Sequence, residues 1–332
     1  MSHLMLFSRC QLSGAQMSVE QRVNANPPQR QNRADGDTTH SGISDKDFLR
    51  YSRQILLPEV GEIGQQRLAQ CHVIIVGIGG LGTLAAQYLA AAGVGQLTLI
   101  DADKIELSNL PRQLLFNETD IGRFKAEIAA HKLTQAYPDC RVSAVNEAFS
   151  PATLVKLVPR SHVNRATKTG VMNRSSCSLL VLDCTDNFES RQRINRTCIE
   201  LDFPLVISAV AHFSGQLLVV DQRLISNGGC YQCLYPSDTI VSQNCATVGV
   251  LGPMVGIMAS MQSLLALRYL LLNDIGLSGP DVTDDVANLV GTLWRIDGKS
   301  LACSSAILPR NSECGVCQVQ NNWNTHDKNS SK

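Results

Sequence analysis

The chain has 332 residues, of which 44% are hydrophobic and 17% charged, and its formal net charge is zero. This composition is typical of a soluble folded protein and excludes the basic excess that indicates a nucleic-acid or polyanion partner. The length predicts one large domain or two modest ones. Apart from two pairs, the 12 cysteines are irregularly spaced, which is typical of the reducing cytoplasm rather than of a disulfide framework.

Both ends of the chain are polar. Residues 1–45 are rich in Gln, Asn, Ser and Gly without a sustained apolar period, so we expect a disordered extension with no secretory signal. Residues 46–318 are predicted to form the folded domain, and residues 319–332 a disordered tail. Gly, Gln, Ser or Arg interrupt the longest apolar stretches (84–94 and 248–272), so we expect no membrane span.

Short apolar runs alternate with helical ones in the central part of the chain. Nearly continuous apolar strands separated by helices indicate a doubly wound, mostly parallel α/β sheet of Rossmann type, with helices on both faces. A polar, basic segment at residues 160–177 delays the fourth strand and is predicted to be a surface insertion. The strands are expected at residues 72–77, 96–101, 141–146, 178–184, 204–210 and 216–221.

The first predicted strand leads into a glycine-rich turn and a helix of small residues. Asp101 ends the next strand, and the turn contains Gly77, Gly79, Gly80 and Gly82. Such glycines let the backbone approach a phosphate at a helix N-terminus, and the acidic residue reaches ribose hydroxyls. The pattern therefore predicts a nucleotide site, and alone it would most often indicate NAD.

The residues after this turn favour a triphosphate. The run DADKIELSNLPRQ contains Asp103, Asn109 and Arg112, and Lys125 opens a later helix. Two cations near a glycine-rich turn suit a triphosphate better than a pyrophosphate that bridges two nucleosides.

The fourth predicted strand ends in LDCTDN. This motif puts Asp186 and Asn187 at the carboxyl edge of the sheet, where open α/β sheets bind ligands, and a carboxylate there can hold Mg²⁺. Cys184 in the same motif is predicted to be buried and unreactive.

Two distant Cys-x-x-Cys pairs supply four soft ligands. They are Cys230 and Cys233 in GCYQC, and Cys314 and Cys317 in SECGVC. Four thiolates on two turns predict a tetrahedral Zn²⁺ site, with redox or disulfide pairs as the alternative. Because four thiolates leave no open position, we expect a structural clasp between the C-terminal strands and an earlier loop.

Cys245, in QNCATVGV, is a further thiol of interest. It lies before a long helix that is predicted to begin near residue 248. A thiol near a helix N-terminus can have a lowered pKa, which makes Cys245 a candidate nucleophile, with a packing role as the alternative.

Seven motifs together resemble one family. They occur in order between residues 45 and 317, as RYSRQILLPEVGEIGQQRL, VIIVGIGGLG, LIDADKIELSNLPRQ, VLDCTDN, GCYQC, QNCATVGV and CGVC. They are similar to the adenylyltransferases that activate ubiquitin-like sulfur carriers, the ThiF and MoeB group related to ubiquitin-activating enzymes. RYSRQILL, GCYQCLYP, NCATVGVLGPMVGIM and IDGKS are more similar to the thiazole-biosynthesis members, which act on ThiS, than to the molybdopterin-synthase members, which are the runner-up.

The resemblance implies an activity. ATP with Mg²⁺ would adenylylate the C-terminal Gly-Gly carboxylate of a ThiS-type carrier for thiamine biosynthesis, with a sulfurtransferase or cysteine desulfurase as the sulfur source. The matching positions imply that Gly80 lies against the phosphates, that Asp101 binds ribose and that Asp186 binds magnesium. The polyphosphate would be held by Asn109, Arg112 and Lys125.

The resemblance also implies two roles outside this nucleotide site. Arg53, in RYSRQ, would reach the ATP of the neighbouring subunit in a homodimer, and Cys245 would form a covalent acyl disulfide with the carrier.

Two other functions stay open. One is a zinc-containing NAD oxidoreductase, although in such enzymes the four cysteines cluster in a short segment before the nucleotide domain. The other is a non-catalytic scaffold that binds a carrier. The complete set of Arg112, Lys125 and Asp186 favours catalysis over a scaffold.

Overall fold

The computed structural model describes residues 43–158, 179–224, 228–236, 239, 249–272 and 288–318. Four predicted features lie outside the described residues: the extension up to residue 42, the insertion at residues 160–177, Cys245, and the tail from residue 319. Helix α1 begins at Asp45, the last residue of the predicted extension, and Ser44 caps it by accepting the Asp47 N–H at 3.1 Å.

Helices and strands alternate through the described ranges. The helices are α1 (Asp45–Ile55), α2 (Gly61–Leu68), α3 (Gly80–Ala91), α4 (Lys125–Ala136), α5 (Pro151–Leu157), α6 (Phe188–Glu200), α7 (Tyr231–Leu234) and α8 (Gly252–Leu272). The strands are β1 (His72–Val76), β2 (Gln96–Ile100), β3 (Arg141–Val145), β4 (Leu179–Asp183), β5 (Leu205–Ala211), β6 (Ser214–Val220), β7 (Thr292–Asp297) and β8 (Ala302–Ile307).

The strands form one eight-stranded sheet in the order β3-β2-β1-β4-β5-β6-β7-β8. Strands β1 to β5 pair in parallel, and β6, β7 and β8 continue the sheet in antiparallel pairs. The doubly wound, mostly parallel sheet is thus confirmed, and the six predicted strands agree with β1 to β6 within two residues. Strands β7 and β8 form a C-terminal extension that was not among those six.

Helices cover both faces of the parallel strands. Val73 and Ile75 belong to a core with α3, α4 and α8, whereas Ile74 and Val76 belong to a second core with α5 and α6. Successive strand residues point to opposite faces, so a strand buried on both sides must be apolar at every position. This explains the continuous apolar run of β1, in which all five residues are buried.

Helix α8 is a core helix. Among the described residues it is the one helix long and apolar enough to cross a membrane, but 50% of its apolar window is buried, and it packs on α3, β5 and β6. At its centre the buried Gln262 amide donates to the carbonyls of Asp183 (3.0 Å) and Val206 (3.1 Å). The helix begins at Gly252 rather than near residue 248, because residues 249–251 are not helical.

Helix α1 lies at the amino edge of the sheet, opposite the edge where β1 and β4 end. Gln54 of α1 and Gln65 of α2 both donate to the Ala92 carbonyl, just before β2 begins. Near the start of β3, Lys46 and Arg50 pair with the carboxylate of Asp139 at 3.2 and 3.5 Å. These contacts fix the location of the predicted site residue Arg53, which is exposed in the last turn of α1.

The packing of α3 on the β1 turn predicts the effect of one substitution. A Cβ atom at Gly82 would lie 1.9 Å from the carbonyl oxygen of Gly77, and backbone cannot move aside as a side chain can. We expect Gly82→Ala to lower the free energy of unfolding by about 3 kcal/mol, measured by urea denaturation.

The matched control is Gly256→Ala on α8, where a Cβ atom would meet nothing within 4 Å. Because alanine is the better helix former, this variant should be as stable as the parent or up to about 1 kcal/mol more stable. An unchanged urea midpoint for Gly82→Ala would contradict the close packing of α3.

Candidate active site

A cleft of about 720 Å³ opens at the carboxyl edge of the parallel strands. The ends of β1, β2 and β4 form its floor, which is where open α/β sheets bind ligands. Most of the residues predicted for the nucleotide site line it: Gly77, Gly79, Gly80, Asp101, Asp103, Asn109, Arg112, Lys125, Asp186 and Asn187.

The glycine-rich turn is closely packed. Gly77 has φ +89°, and a Cβ atom there would lie 2.8 Å from the carbonyl oxygen of Cys184, so this position requires glycine. A Cβ atom at Gly80 would lie 2.9 Å from the Arg112 carbonyl oxygen, so the start of α3 packs directly on the segment that carries this cation. Gly82 does not line the cleft, and its contact with the Gly77 carbonyl gives it a packing role.

Asp101 joins two loops of the cleft. One carboxylate oxygen accepts the N–H of Ile78 at 2.6 Å, and the other accepts the N–H of Asp103 at 2.7 Å. Burial raises the pKa of Asp101, whereas Lys125 and the two N–H donors favour its charged form. Since a carboxylate oxygen can accept more than one hydrogen bond, Asp101 can hold the turn and still accept from a ligand hydroxyl.

The two predicted cationic side chains, Lys125 and Arg112, donate hydrogen bonds to acceptors within the same chain. Lys125 Nζ donates to Asp103 Oδ2 at 2.8 Å, and the Lys125 side chain is only 9% exposed. The half-buried Arg112 donates to the Ser108 carbonyl at 2.8 Å. The neighbouring Asn109 is buried and donates its amide to Ser108 Oγ at 3.3 Å. Two fixed positive charges in one cleft attract a polyanionic ligand.

Hydrogen bonds on both sides of Asp186 hold the backbone of the loop that follows β4. On one side, the buried Asp183 carboxylate accepts the N–H (2.9 Å) and the hydroxyl (2.7 Å) of Thr185, and Arg191 donates to the Thr185 carbonyl at 2.6 Å. On the other side, Asn187 caps α6 by accepting the Ser190 N–H at 2.8 Å. Asp186 is therefore an exposed carboxylate on a constrained backbone at the cleft, which suits Mg²⁺.

Several cleft residues were not predicted. Arg191 is four residues after Asn187, so the helical period could have placed both on one face of α6. Glu147 and Phe149 follow β3 and reach the cleft because β3 ends at the same edge. Gln113 is buried, and its Oε1 has no hydrogen-bond partner among the described residues; no pattern in the sequence indicated this.

Three predicted residues stand apart from this cleft. Arg53, at the amino edge of the sheet, does not line the cleft of its own chain. Cys184 is buried with its Sγ 3.3 Å from Gln262 Oε1, and burial raises the pKa of its thiol far above the ordinary value, as expected of an unreactive cysteine. Cys245 lies outside the described residues, and its role stays a prediction.

The two Cys-x-x-Cys pairs come together. The sulfur atoms of Cys230, Cys233, Cys314 and Cys317 all lie within 4.8 Å of one another. The Sγ–Sγ distances are 3.9 Å for Cys230–Cys233, 3.7 Å for Cys230–Cys314 and 3.4 Å for Cys233–Cys317. These exceed the disulfide length of about 2.05 Å. They bracket the edge of about 3.8 Å of a sulfur tetrahedron with Zn–S bonds of about 2.3 Å, so the cluster fits zinc.

The four-cysteine cluster joins three elements. Cys230 precedes α7 and Cys233 lies on it, and the neighbouring Gly229 N–H donates to the Leu308 carbonyl beyond β8 at 2.8 Å. The Tyr231 N–H donates to Asn195 Oδ1 of α6 at 3.1 Å. The cluster thus connects the segment after β6, the segment after β8, and the helix that borders the cleft.

One protein family and several known proteins are similar to this chain along most of its length. The ThiF family matches residues 51–316. The sulfur carrier protein ThiS adenylyltransferase of Escherichia coli (strain K12) is 41% identical over 279 residues, which cover 84% of this chain and 98% of that protein. The molybdopterin-synthase adenylyltransferase of the same organism is 34% identical over 275 residues, which cover 83% of this chain and 98% of that protein.

Solved structures share the fold. The crystal structure of E. coli MccB with MccA-N7isoASN superimposes with a TM-score of 0.62 over 83% of this chain and 75% of that chain. Its sequence identity is 20%, so this likeness concerns the fold alone. The family match and the 41% identity across nearly the full length of one relative lead to one conclusion: this chain belongs to the ThiF family.

Proposed function

We propose that the protein is a nucleotidyltransferase that uses ATP to adenylylate the C-terminal Gly-Gly carboxylate of a ubiquitin-like sulfur carrier protein of the ThiS type. The observation that carries the proposal is the cleft in which Arg112, Lys125, Asp101 and Asp186 converge. The 41% identity to a ThiS adenylyltransferase supports the choice of carrier and a place in thiamine biosynthesis.

ATP with Mg²⁺ suits this cleft better than NAD does. The cleft volume of about 720 Å³ is sufficient for a nucleotide. Arg112 and Lys125 supply two positive charges for the polyphosphate, and Asp101 supplies acceptor positions for ribose hydroxyls. Asp186 is an exposed oxygen ligand at the same edge, whereas a pyrophosphate between two nucleosides needs no such carboxylate.

The proposed reaction is one displacement at phosphorus. A carboxylate oxygen of the carrier attacks the α-phosphorus, the bond from this phosphorus to the bridging oxygen breaks, and pyrophosphate leaves with both electrons. The product is the carrier acyl-adenylate. Both reactants are anions, so Arg112 and Lys125 act by neutralising phosphate charge while the glycine turn lets the phosphates approach α3. Bound Mg²⁺, held by Asp186, would neutralise the leaving pyrophosphate.

We propose a cytoplasmic homodimer in which Arg53 of each subunit contacts the ATP of the other. Its exposure and its position far from its own cleft support a role on a second copy. Zn²⁺ in the four-cysteine cluster would be structural, and a sulfurtransferase or cysteine desulfurase would then deliver sulfur to the activated carrier. The second candidate function is adenylylation of the molybdopterin-synthase small subunit, which the 34% full-length identity favours.

The first prediction from the proposed function concerns the carrier. Exchange of labelled pyrophosphate into ATP should occur only when a Gly-Gly-terminated ThiS-type carrier is present, because the carboxylate is the attacking group. A carrier of the molybdopterin-synthase type and a ThiS that lacks its last glycine are the comparisons. Exchange without a carrier, or equal rates with both carriers, would refute the ThiS assignment.

The second prediction concerns charge neutralisation. We expect Arg112→Ala to lower the pyrophosphate exchange rate by about 10² to 10³, the usual effect of removing one electrostatic contact in a transition state. The matched control is Arg123→Ala, since Arg123 is exposed, pairs only loosely with Glu127 at 3.8 Å and does not line the cleft. A comparable loss in both variants would argue against a specific role for Arg112.

The third prediction concerns the metal. Cys314→Ser should abolish stoichiometric zinc and lower the melting temperature by about 10 °C, because metal binding contributes directly to folding stability. Zinc content and thermal unfolding are measured together, with Cys303→Ser on exposed β8 as the control outside the cluster. Complete loss of zinc at an unchanged melting temperature would show that the cluster is not a clasp.

A further inference from the structure

The side-chain amide of Gln113 forms no hydrogen bond with any of the described residues. The residue is 3% exposed and lines the cleft, and its Oε1 atom is buried. A buried amide that loses its bonds to water without gaining others destabilises the folded chain, and most buried side-chain amides are hydrogen-bonded. Because no described residue fixes the orientation of this amide, a ligand in the cleft can orient it.

The backbone of Gln113 is held in place, in contrast to its amide. Its N–H donates to the Asn109 carbonyl at 3.0 Å, and its own carbonyl accepts the N–H of Phe116 at 3.0 Å. The carbonyl of the preceding residue, Arg112, packs on Gly80, where α3 begins. The side chain of Gln113 therefore extends into the cleft from a segment that is fixed relative to α3.

Gln113 Nε2 lies beside the N-terminus of α3. A Cβ atom at Gly79, the N-cap residue of this 12-residue helix, would lie 3.7 Å from Gln113 Nε2. Gly79 has no side chain that could cap the helix, and the first N–H groups of an α-helix have no partner within it. The amide and these N–H groups are all donors at one place in the cleft. An anion is the ligand that can accept from both.

The position of Asp101 indicates which anion this is. In the proposed function the Asp101 carboxylate accepts from ribose hydroxyls, and it also accepts the N–H of Ile78 at 2.6 Å. Ile78 directly precedes Gly79, so the donors at the start of α3 lie one residue along the turn from the ribose site. The phosphate next to ribose in ATP is the α-phosphate, and its phosphorus is the atom at which the proposed displacement takes place.

We propose that Gln113 is a substrate-binding residue whose side-chain amide donates, through Nε2, to a non-bridging oxygen of the α-phosphate of ATP. This inference deepens the proposed function and rests on it. An ionised phosphate oxygen only accepts hydrogen bonds, so it selects Nε2 rather than Oε1 as its partner. A donor that is already buried beside the reacting phosphate stabilises the negative charge there without bringing a charge of its own.

The experiment compares AMP with adenosine, which differ by the α-phosphate alone. Gln113→Met removes the amide and keeps the length of the side chain. Calorimetric titration of the full chain without Mg²⁺ should show about tenfold weaker binding of AMP, because one hydrogen bond to a charged group is lost, and parental binding of adenosine. The melting temperature without ligand should equal or exceed the parental value, because the amide has no partner among the described residues.

A second variant tests the sign of the interaction. Gln113→Glu keeps the shape of the side chain and replaces the donor with a carboxylate. Two like charges would then face each other, so AMP should bind about a hundredfold more weakly at pH 8, whereas adenosine should bind as it does to the parent.

Gln87→Met is the matched control. Gln87 lies on α3 and donates from Nε2 to the Thr83 carbonyl at 3.1 Å, but it does not line the cleft. This variant loses the same amide and should keep the parental affinities for both AMP and adenosine.

The outcomes separate this contact from the proposed reaction. Parental AMP affinity in Gln113→Met and Gln113→Glu would overturn the contact, and so would equal losses for AMP and adenosine or an equal loss in Gln87→Met. If the variants respond as expected but the unaltered chain exchanges no pyrophosphate with any carrier, the contact stands and the proposed adenylylation is wrong. If the unaltered chain binds neither AMP nor adenosine, the contact and the proposed function both fail.

Discussion

The close approach of the β1 turn to the end of β4 is the constraint on which the site depends. Gly77 lies so near the Cys184 carbonyl that no larger residue fits, and its N–H donates to the Ile100 carbonyl at 2.9 Å. This brings the ends of β1, β2 and β4 within reach of one another. Asp101 then bonds the N–H of Ile78 and closes the turn. The cleft forms where three backbone segments approach one another closely, which is possible because glycine places no side chain between them.

Charge in the cleft is organised before any ligand arrives. Lys125 is held by Asp103, Arg112 by a backbone carbonyl, and Arg191 by the Thr185 carbonyl. A cationic side chain that is already held in one orientation loses little conformational entropy when it binds a phosphate. It can also stabilise negative charge that develops during the reaction without rearranging. The exposed Asp103 pairs with Lys125 and also lines the cleft, and its predicted role in nucleotide binding stays a prediction.

Local patterns predicted the parts of the fold that local chemistry determines. Strands β1, β2, β4 and β5 were found because burial on both faces requires continuous apolar residues, whereas all six residues of β8 are exposed and carry no such pattern. The glycine turn and the two cysteine pairs were found because function restricts their residue types. Gln113 was missed because only the folded chain shows that it reaches the cleft, whereas the helical period counted from Asn187 could have indicated Arg191. The geometry of the cleft does not distinguish a ThiS-type carrier from one of the molybdopterin-synthase type, and the choice between them rests on sequence similarity.

Gln262 has a consequence for the uniqueness of this fold. A helix that is apolar on nearly every side, as α8 is, has no preferred rotation about its own axis from hydrophobicity alone. The Gln262 amide donates to the carbonyl of Asp183 at the end of β4 and to that of Val206 near the start of β5, which requires one rotation of the helix. One buried amide thereby selects which residues of α8 face the sheet and which face outward. It therefore determines which side chains α8 contributes to the protein surface as well as which it contributes to the core.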